Sequence, residues 1–189
     1  MQRNIPLFAG LLYTLVLTAC GSANTGSISR QNQNPLVASR YGDELADTMA
    51  NMVIQNDPIL GQKGIREIIH DEITVAKNMG DEARIKQSEG MKGGLIPVNE
   101  QMIGLVLYVD DRLYFASDFE TKPGPSLHVY MTTAVDPRDI AFPDKTAIDL
   151  GEIQSVYGQQ QYAMPHQKNP MLYRTLVLFD TKLKRLYGF

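Results

Sequence analysis

The stretch "MIGLVLYVDDRLYFASDF", Met102 to Phe119, decides how the chain folds. Two runs rich in Leu, Val, Ile, Tyr and Phe, 102–109 and 113–119, flank Asp110-Asp111-Arg112. β-branched and aromatic residues suit a pleated, half-buried surface. Two such runs around a short acidic turn read as an antiparallel hairpin, although Asp-Asp is a weaker turn signal than Asp-Gly.

Toward the C-terminus the same rhythm continues. In "KPGP" (122–125), Pro123 and Gly124 are expected as the central pair of a type II turn, proline setting the first φ and glycine accepting a positive second one. "SLHVYMTT" (126–133) then alternates Leu127, Val129 and Met131 on one face with His128 and Tyr130 on the other. Further strands are expected over 148–153, 161–164, 173–179 and 185–189, and short strands separated by turns indicate an antiparallel sandwich or barrel.

Toward the N-terminus the period changes to that of a helix. Val37, Tyr41, Leu45, Met49, Met52 and Val53 recur at helical spacing before Asp57-Pro58 stops them. A second stripe runs through Ile65, Ile68, Ile69, Ile73 and Ala76. Gly80 is expected to interrupt it, and Gly90, Gly93 and Gly94 to end it. The predicted fold class is α+β: an N-terminal helical hairpin, residues 36–94, followed by an all-β antiparallel sandwich or barrel, residues 97–189. The methionines of the helical part are expected in the core.

Before the hairpin, "SANTGSISRQNQNP" (22–35) is polar and small, a composition that cannot bury enough apolar surface to order itself. Residues 20–35 therefore read as a tether. Residues 1–19 carry Arg3 and then an apolar run from Ile5 to Leu17, the pattern of a secretory signal peptide and shorter than a membrane-spanning helix needs. The run closes in Leu17-Thr18-Ala19-Cys20, which resembles the lipobox of bacterial lipoproteins, in which the cysteine is acylated and becomes the new N-terminus. That resemblance implies palmitate-type lipidation of Cys20 and a membrane partner through the anchor. Gly21 after the cysteine implies the outer membrane, facing the periplasm; in a Gram-positive cell the anchor would sit on the outer face of the plasma membrane.

Cys20 is the only cysteine, so no internal disulfide, CxxC pair or multi-thiolate metal site is available. Cleavage after Ala19 leaves 17 basic residues against 21 acidic ones, a net charge of −4, which argues against nucleic acid as a partner. Serine occurs outside any GxSxG elbow, and "GMKGGL" (90–95) lacks the GK[ST] ending of a phosphate loop, so the chain is not expected to be an enzyme. No cofactor is assigned. His70, in "EIIHDEI", lacks a second histidine at HExxH spacing and reads as part of a solvated helix face. His128, Met164 and His166, with Met171 nearby in sequence, form a candidate set of soft ligands for copper(I), weighed against core packing for Met164 and a loop position for His166. Tyr108, Tyr114, Tyr130, Tyr157 and Tyr162 would line an aromatic binding face or simply pack on strands.

The strings "DFETKPGPSLHVYM", "DLGEIQSVYGQQQYAMP" and "YRTLVLFDTKLKRLYGF" together resemble the DM-thirteen domain, a small all-β module related to DOMON domains and proposed to take part in electron transfer. The elements are Asp118-Phe119, Gly124-Pro125 before an alternating strand, Gly158 and Tyr162 leading to Pro165, and a closing apolar strand. The resemblance covers about residues 97 to 189. Members proposed to be redox-active carry a cysteine after an apolar run near the end; here "TLVLFDT" aligns Asp180 with it. A carboxylate undergoes no thiol–disulfide cycle and does not ligate haem iron as a thiolate does. The expected function is therefore a non-catalytic binding or interaction module of the cell envelope, its partner an envelope protein or small ligand. The alternative is a redox, metal-carrying or haem-carrying domain using other ligands.

Overall fold

The computed structural model describes residues 33–189. The signal segment, Cys20 and nearly all of the tether lie outside the described residues. Two antiparallel helices, α1 (Pro35–Ile54) and α2 (Ile65–Ser88), precede ten strands. The strands are β1 (Met91–Gly94), β2 (Met102–Ile103), β3 (Leu105–Val109), β4 (Arg112–Phe115), β5 (Glu120–Thr121), β6 (Leu127–Thr132), β7 (Ile148–Glu152), β8 (Gln160–Ala163), β9 (Thr175–Asp180) and β10 (Arg185–Gly188). They form one sheet in the order β1-β3-β4-β8, a second in the order β10-β9-β6-β7, and a small β2-β5 ladder. Every pairing is antiparallel.

The hairpin expected around Asp110-Asp111 is β3–β4, with Val109 opposite Arg112. Both aspartates take positive φ, 52° and 53°, the signature of a type I′ turn whose twist matches that of the strands. Short polar side chains tolerate this region better than most. Leu113 and Phe115 face the second sheet, where Val129, Met131 and Leu178 meet them in the main core. Leu107, Val109 and Tyr114 face the other way and pack with Leu36 of α1. The order of layers is thus helical hairpin, first sheet, second sheet. A third cluster, Tyr130, Val177 and Phe179 with Phe142 against them, covers the outer side of the second sheet.

The helices pack differently from the expected stripe. Tyr41, Leu45 and Met49 are only half-buried, while Ala38, Gly42 and Ala46 are buried against Ile69, Ala76, Gly80 and Ala83. Small residues let the two backbones approach. A Cβ on Gly42 would stand 2.6 Å from the Ala76 carbonyl oxygen and 2.9 Å from the Gly80 nitrogen. Gly80 therefore does not break α2, which runs through it, because its lack of a side chain serves the contact. Asn34 fastens the hairpin to the first sheet: its Oδ1 caps α1 by accepting from Leu36 N (3.1 Å), and its Nδ2 donates to the Phe115 carbonyl (2.8 Å). At the same end of the hairpin, where Gln87 donates to the Pro35 carbonyl (2.8 Å), Lys86 of α2 pairs with Asp110 of the β3–β4 turn.

Three further details depart from the sequence reading. Residues 91–94, assigned to the helical segment, are the edge strand β1. Gly104, with φ of 126°, splits the expected 102–109 strand into β2 and β3, and a Cβ there would sit 2.8 Å from Phe119 Cα. Gly124 does not adopt the positive φ of a type II turn. It is small for another reason, since a Cβ would lie 2.5 Å from both Asp180 Oδ2 and the Tyr187 hydroxyl.

Candidate functional site

The sandwich opens along β1. Leu95 N donates to Gly104 O, in register with the β1–β3 ladder, so the residues of β1 that bond to β3 are Met91 and Gly93. Antiparallel pairing alternates bonded and non-bonded pairs. The N–H and C=O groups of Lys92 and Gly94 therefore point outward from the sheet edge. Met91, Gly93 and Leu95 share the inward face, and at Gly93 there is no side chain to fill it. A Cβ built there would meet no heavy atom within 4 Å.

The gap left between the sheets is a cavity of about 260 Å³. Met91, Tyr108 and Leu113 form its first-sheet wall, and Met131, Tyr173 and Leu176 the facing wall. Arg174 is the charged side chain of the lining, which includes no carboxylate side chain. Lys92 lines it through its backbone, since its side chain leaves β1 on the face opposite Met91 and Gly93, where Nζ donates to Gln87 Oε1 of α2 (3.4 Å). Among the described residues Arg174 forms no ion pair. The volume falls just below the roughly 300–1,000 Å³ of sites that enclose drug-sized molecules. It suits one aromatic or branched aliphatic group.

Tyr108 links this cavity to a polar cluster at the hairpin tip. Its hydroxyl donates to Asp111 Oδ1 (3.1 Å), and Asp111 Oδ2 lies 2.9 Å from His166 Nδ1. Burial, helped by the neighbouring carboxylate, pushes the Tyr108 phenol up to about 12. His166, aided by Tyr108, holds the Asp111 carboxyl below its ordinary value against the opposing effect of burial.

Of the three candidate copper(I) ligands, His128 is placed apart from Met164 and His166. Met164 is buried in the main core. His166 lies at the surface beside Asp111, with its side chain 84% exposed. His128, next to core-facing Leu127 and Val129, projects from the outer face of the second sheet. There its Nδ1 lies 2.9 Å from Asp149 Oδ2 and its ring stacks on Tyr130. Met164 and His166 thus share the neighbourhood of Asp111, while the second sheet separates His128 from the Met164 core. Among the described residues no three His, Cys, Asp or Glu side chains gather into a metal-binding group. His70 is 84% exposed on α2, as a solvated helix face requires.

Asp180, aligned with the expected thiol, is fully buried at the end of β9. Its Oδ1 accepts from Lys182 N (3.0 Å) and Leu183 N (2.8 Å), and its Oδ2 from Ser126 N (3.1 Å). Burial by itself raises this carboxyl, but the three backbone donors outweigh it and hold it below the usual range. The side chain ties the β9–β10 turn to the start of β6. Its acceptor positions are occupied by the protein's own backbone, so it does not fit the role of a ligand to haem or metal.

Residues 98–189, just under half of the chain, match the family model described as Electron transfer DM13. Comparison with curated proteins and with solved structures gives no match. The elements that carry the likeness serve the fold. Phe119 is buried edge-on to Phe115 at 4.7 Å. Gly158 takes a φ of 77° where its N–H donates to the Phe119 carbonyl. The Tyr162 hydroxyl accepts from Gln154 N and donates to Gln160 Oε1, and burial pushes its phenol up to about 12. The sequence reading missed the cavity. Its one signal was Gly93-Gly94 following Met91, a strand too short and side-chain-poor to show alternation.

Proposed function

We propose that the chain is a non-catalytic binding module of the bacterial cell envelope, held on a lipidated Cys20, and that its ligand occupies the cavity between the two sheets. The cavity itself carries this reading: apolar walls from both sheets, the unpaired cation Arg174 and an open face at Gly93. Such a site favours a small apolar group attached to a negative charge. The lipobox-like Leu17-Thr18-Ala19-Cys20 supports the anchor. Fifteen positions separate Cys20 from Pro35, a reach of up to about 50 Å at roughly 3.3–3.6 Å per residue. Among the described residues no helix is long and apolar enough to cross a membrane. Several acyl chains, each CH₂ contributing about 0.8 kcal/mol, would hold such a protein stably.

Residues 21–189 titrated with the apolar anion anilinonaphthalene sulfonate test this reading. The expected result is saturable fluorescence enhancement that Gly93→Leu abolishes, since leucine would project into the cavity. Equal enhancement in both proteins, or none in either, refutes it.

The match to Electron transfer DM13 favours a second reading, a redox module that uses groups other than a thiol. It predicts a Soret or metal band, with a matching excess in native mass, for protein expressed in a periplasm supplied with haem and copper. Colourless protein at its bare chain mass excludes it.

A further inference from the structure

Two features of β1 coincide at one place: an open row of backbone groups, and a hole in the side-chain layer behind it. Lys92 and Gly94 present N–H and C=O groups away from β3, on an edge that no other strand of the described residues covers. Gly93, between them, faces the cavity with empty space where a side chain would stand. Exposed strand edges recruit other strands, and proteins normally blunt them with charge, proline or a cover. This one carries a single lysine and two glycines.

We propose that the physiological ligand is an extended peptide segment of another protein, which pairs antiparallel or parallel with β1 and inserts one apolar side chain into the cavity at Gly93. The proposal rests on the binding-module reading and names its ligand class. Strand addition divides recognition between the backbone, which supplies affinity, and pockets for alternate side chains, which supply specificity. Both parts are present here. The Lys92 and Gly94 backbone gives two donors and two acceptors at the spacing of a ladder. The cavity accepts one side chain of the size of phenylalanine or leucine, between Met91 and Tyr108 on one wall and Met131 and Leu176 on the other. Arg174, without a carboxylate side-chain partner among the described residues, selects an acidic residue beside that anchor. A small free ligand would use the cavity and leave the edge unpaired. A peptide satisfies both.

The test uses immobilised residues 21–189 and a displayed library of random linear peptides, with selected sequences resynthesised and titrated. Expected is enrichment of peptides with one large apolar residue beside Asp or Glu, and at least tenfold weaker binding of them by Gly93→Leu. Slowed hydrogen exchange at the Lys92 and Gly94 amides should accompany binding. Gly94→Pro separates the two levels of the account, because it deletes an outward N–H that β3 does not use. That variant should lose the peptide by a similar factor yet still bind anilinonaphthalene sulfonate, with far-ultraviolet circular dichroism and melting temperature establishing that it folds. If no peptides are enriched while the dye still binds in a Gly93-dependent way, strand addition is wrong and the cavity reading stands. If selected peptides bind Gly94→Pro and wild type equally, the edge is not used and the proposal falls. If neither peptide nor dye binds, both readings fall.

Discussion

Replacing Asp180 with alanine removes a fully buried carboxylate that accepts three backbone hydrogen bonds. The donors differ in what happens next. Ser126 is 8% exposed, so its N–H is left unsatisfied, at a cost of about 1–3 kcal/mol. Lys182 and Leu183 are exposed, and their amides recover water once the acceptor is gone. For them only the net worth of a bond to a charged acceptor is lost, with shared partners making the losses less than additive. A total near 3 kcal/mol follows, which at a urea dependence of about 1–3 kcal/mol per molar lowers the unfolding midpoint by roughly 1–3 M. Asp180→Asn should fall between, because an amide oxygen still serves Lys182 and Leu183 while its nitrogen opposes the Ser126 donor. Asp180→Cys, which installs the thiol implied by the family resemblance, should cost about as much as alanine, since sulfur accepts weakly.

The pH dependence carries a definite sign. The folded pKa of Asp180 lies below its unfolded value of about 3.9, so its contribution is complete above that value and lost as pH falls through the folded pKa. The difference between wild type and Asp180→Ala should thus be flat from about pH 5 to 8 and shrink below about pH 4. Equilibrium urea unfolding followed by circular dichroism across this range measures both effects. A difference under about 0.5 kcal/mol at pH 7, or one that grows on acidification, would refute the assignment of Asp180 as a backbone clamp.

Other substitutions probe the remaining parts of the fold. Gly42→Ala puts a Cβ 2.6 Å from the Ala76 carbonyl, and the helices must separate; a loss of about 1–3 kcal/mol is expected in thermal unfolding. Asn34→Ala removes both the α1 cap and the bond to the Phe115 carbonyl, for about 1–3 kcal/mol, seen as faster proteolysis within α1 and α2. Cys20→Ser should abolish labelling by radioactive palmitate and release the protein from membranes in a bacterial host. Persistent membrane association without label would sink the anchoring proposal.

The sheets were legible because Leu127, Val129 and Met131 alternate with His128 and Tyr130, and because strands on both sides of Asp110-Asp111 are rich in residues that suit a pleat. The helices were legible as helices, but not their buried faces. Larger residues such as Leu45 and Met49 suggested one stripe, whereas a close backbone approach selects Ala38, Gly42 and Ala46, which carry little hydropathy signal. Gly80 and Gly124 misled for the same reason: each is small to make room for a neighbour distant in sequence, and only the tertiary contact reveals it. The cavity was hidden more completely, since it depends on a side chain that Gly93 lacks and on walls drawn from both sheets. Position 180 was legible as a departure from the family pattern, and the structure supplies what the carboxylate does instead.

The most direct measurement is a two-dimensional amide and methyl NMR titration of residues 21–189 with phenylpropionate, a small aromatic carboxylate. The account predicts saturable shifts confined to β1, Met131 and Tyr173 to Leu176, which disappear in Gly93→Leu. Saturable shifts centred on any other region, or none up to millimolar ligand, would contradict it.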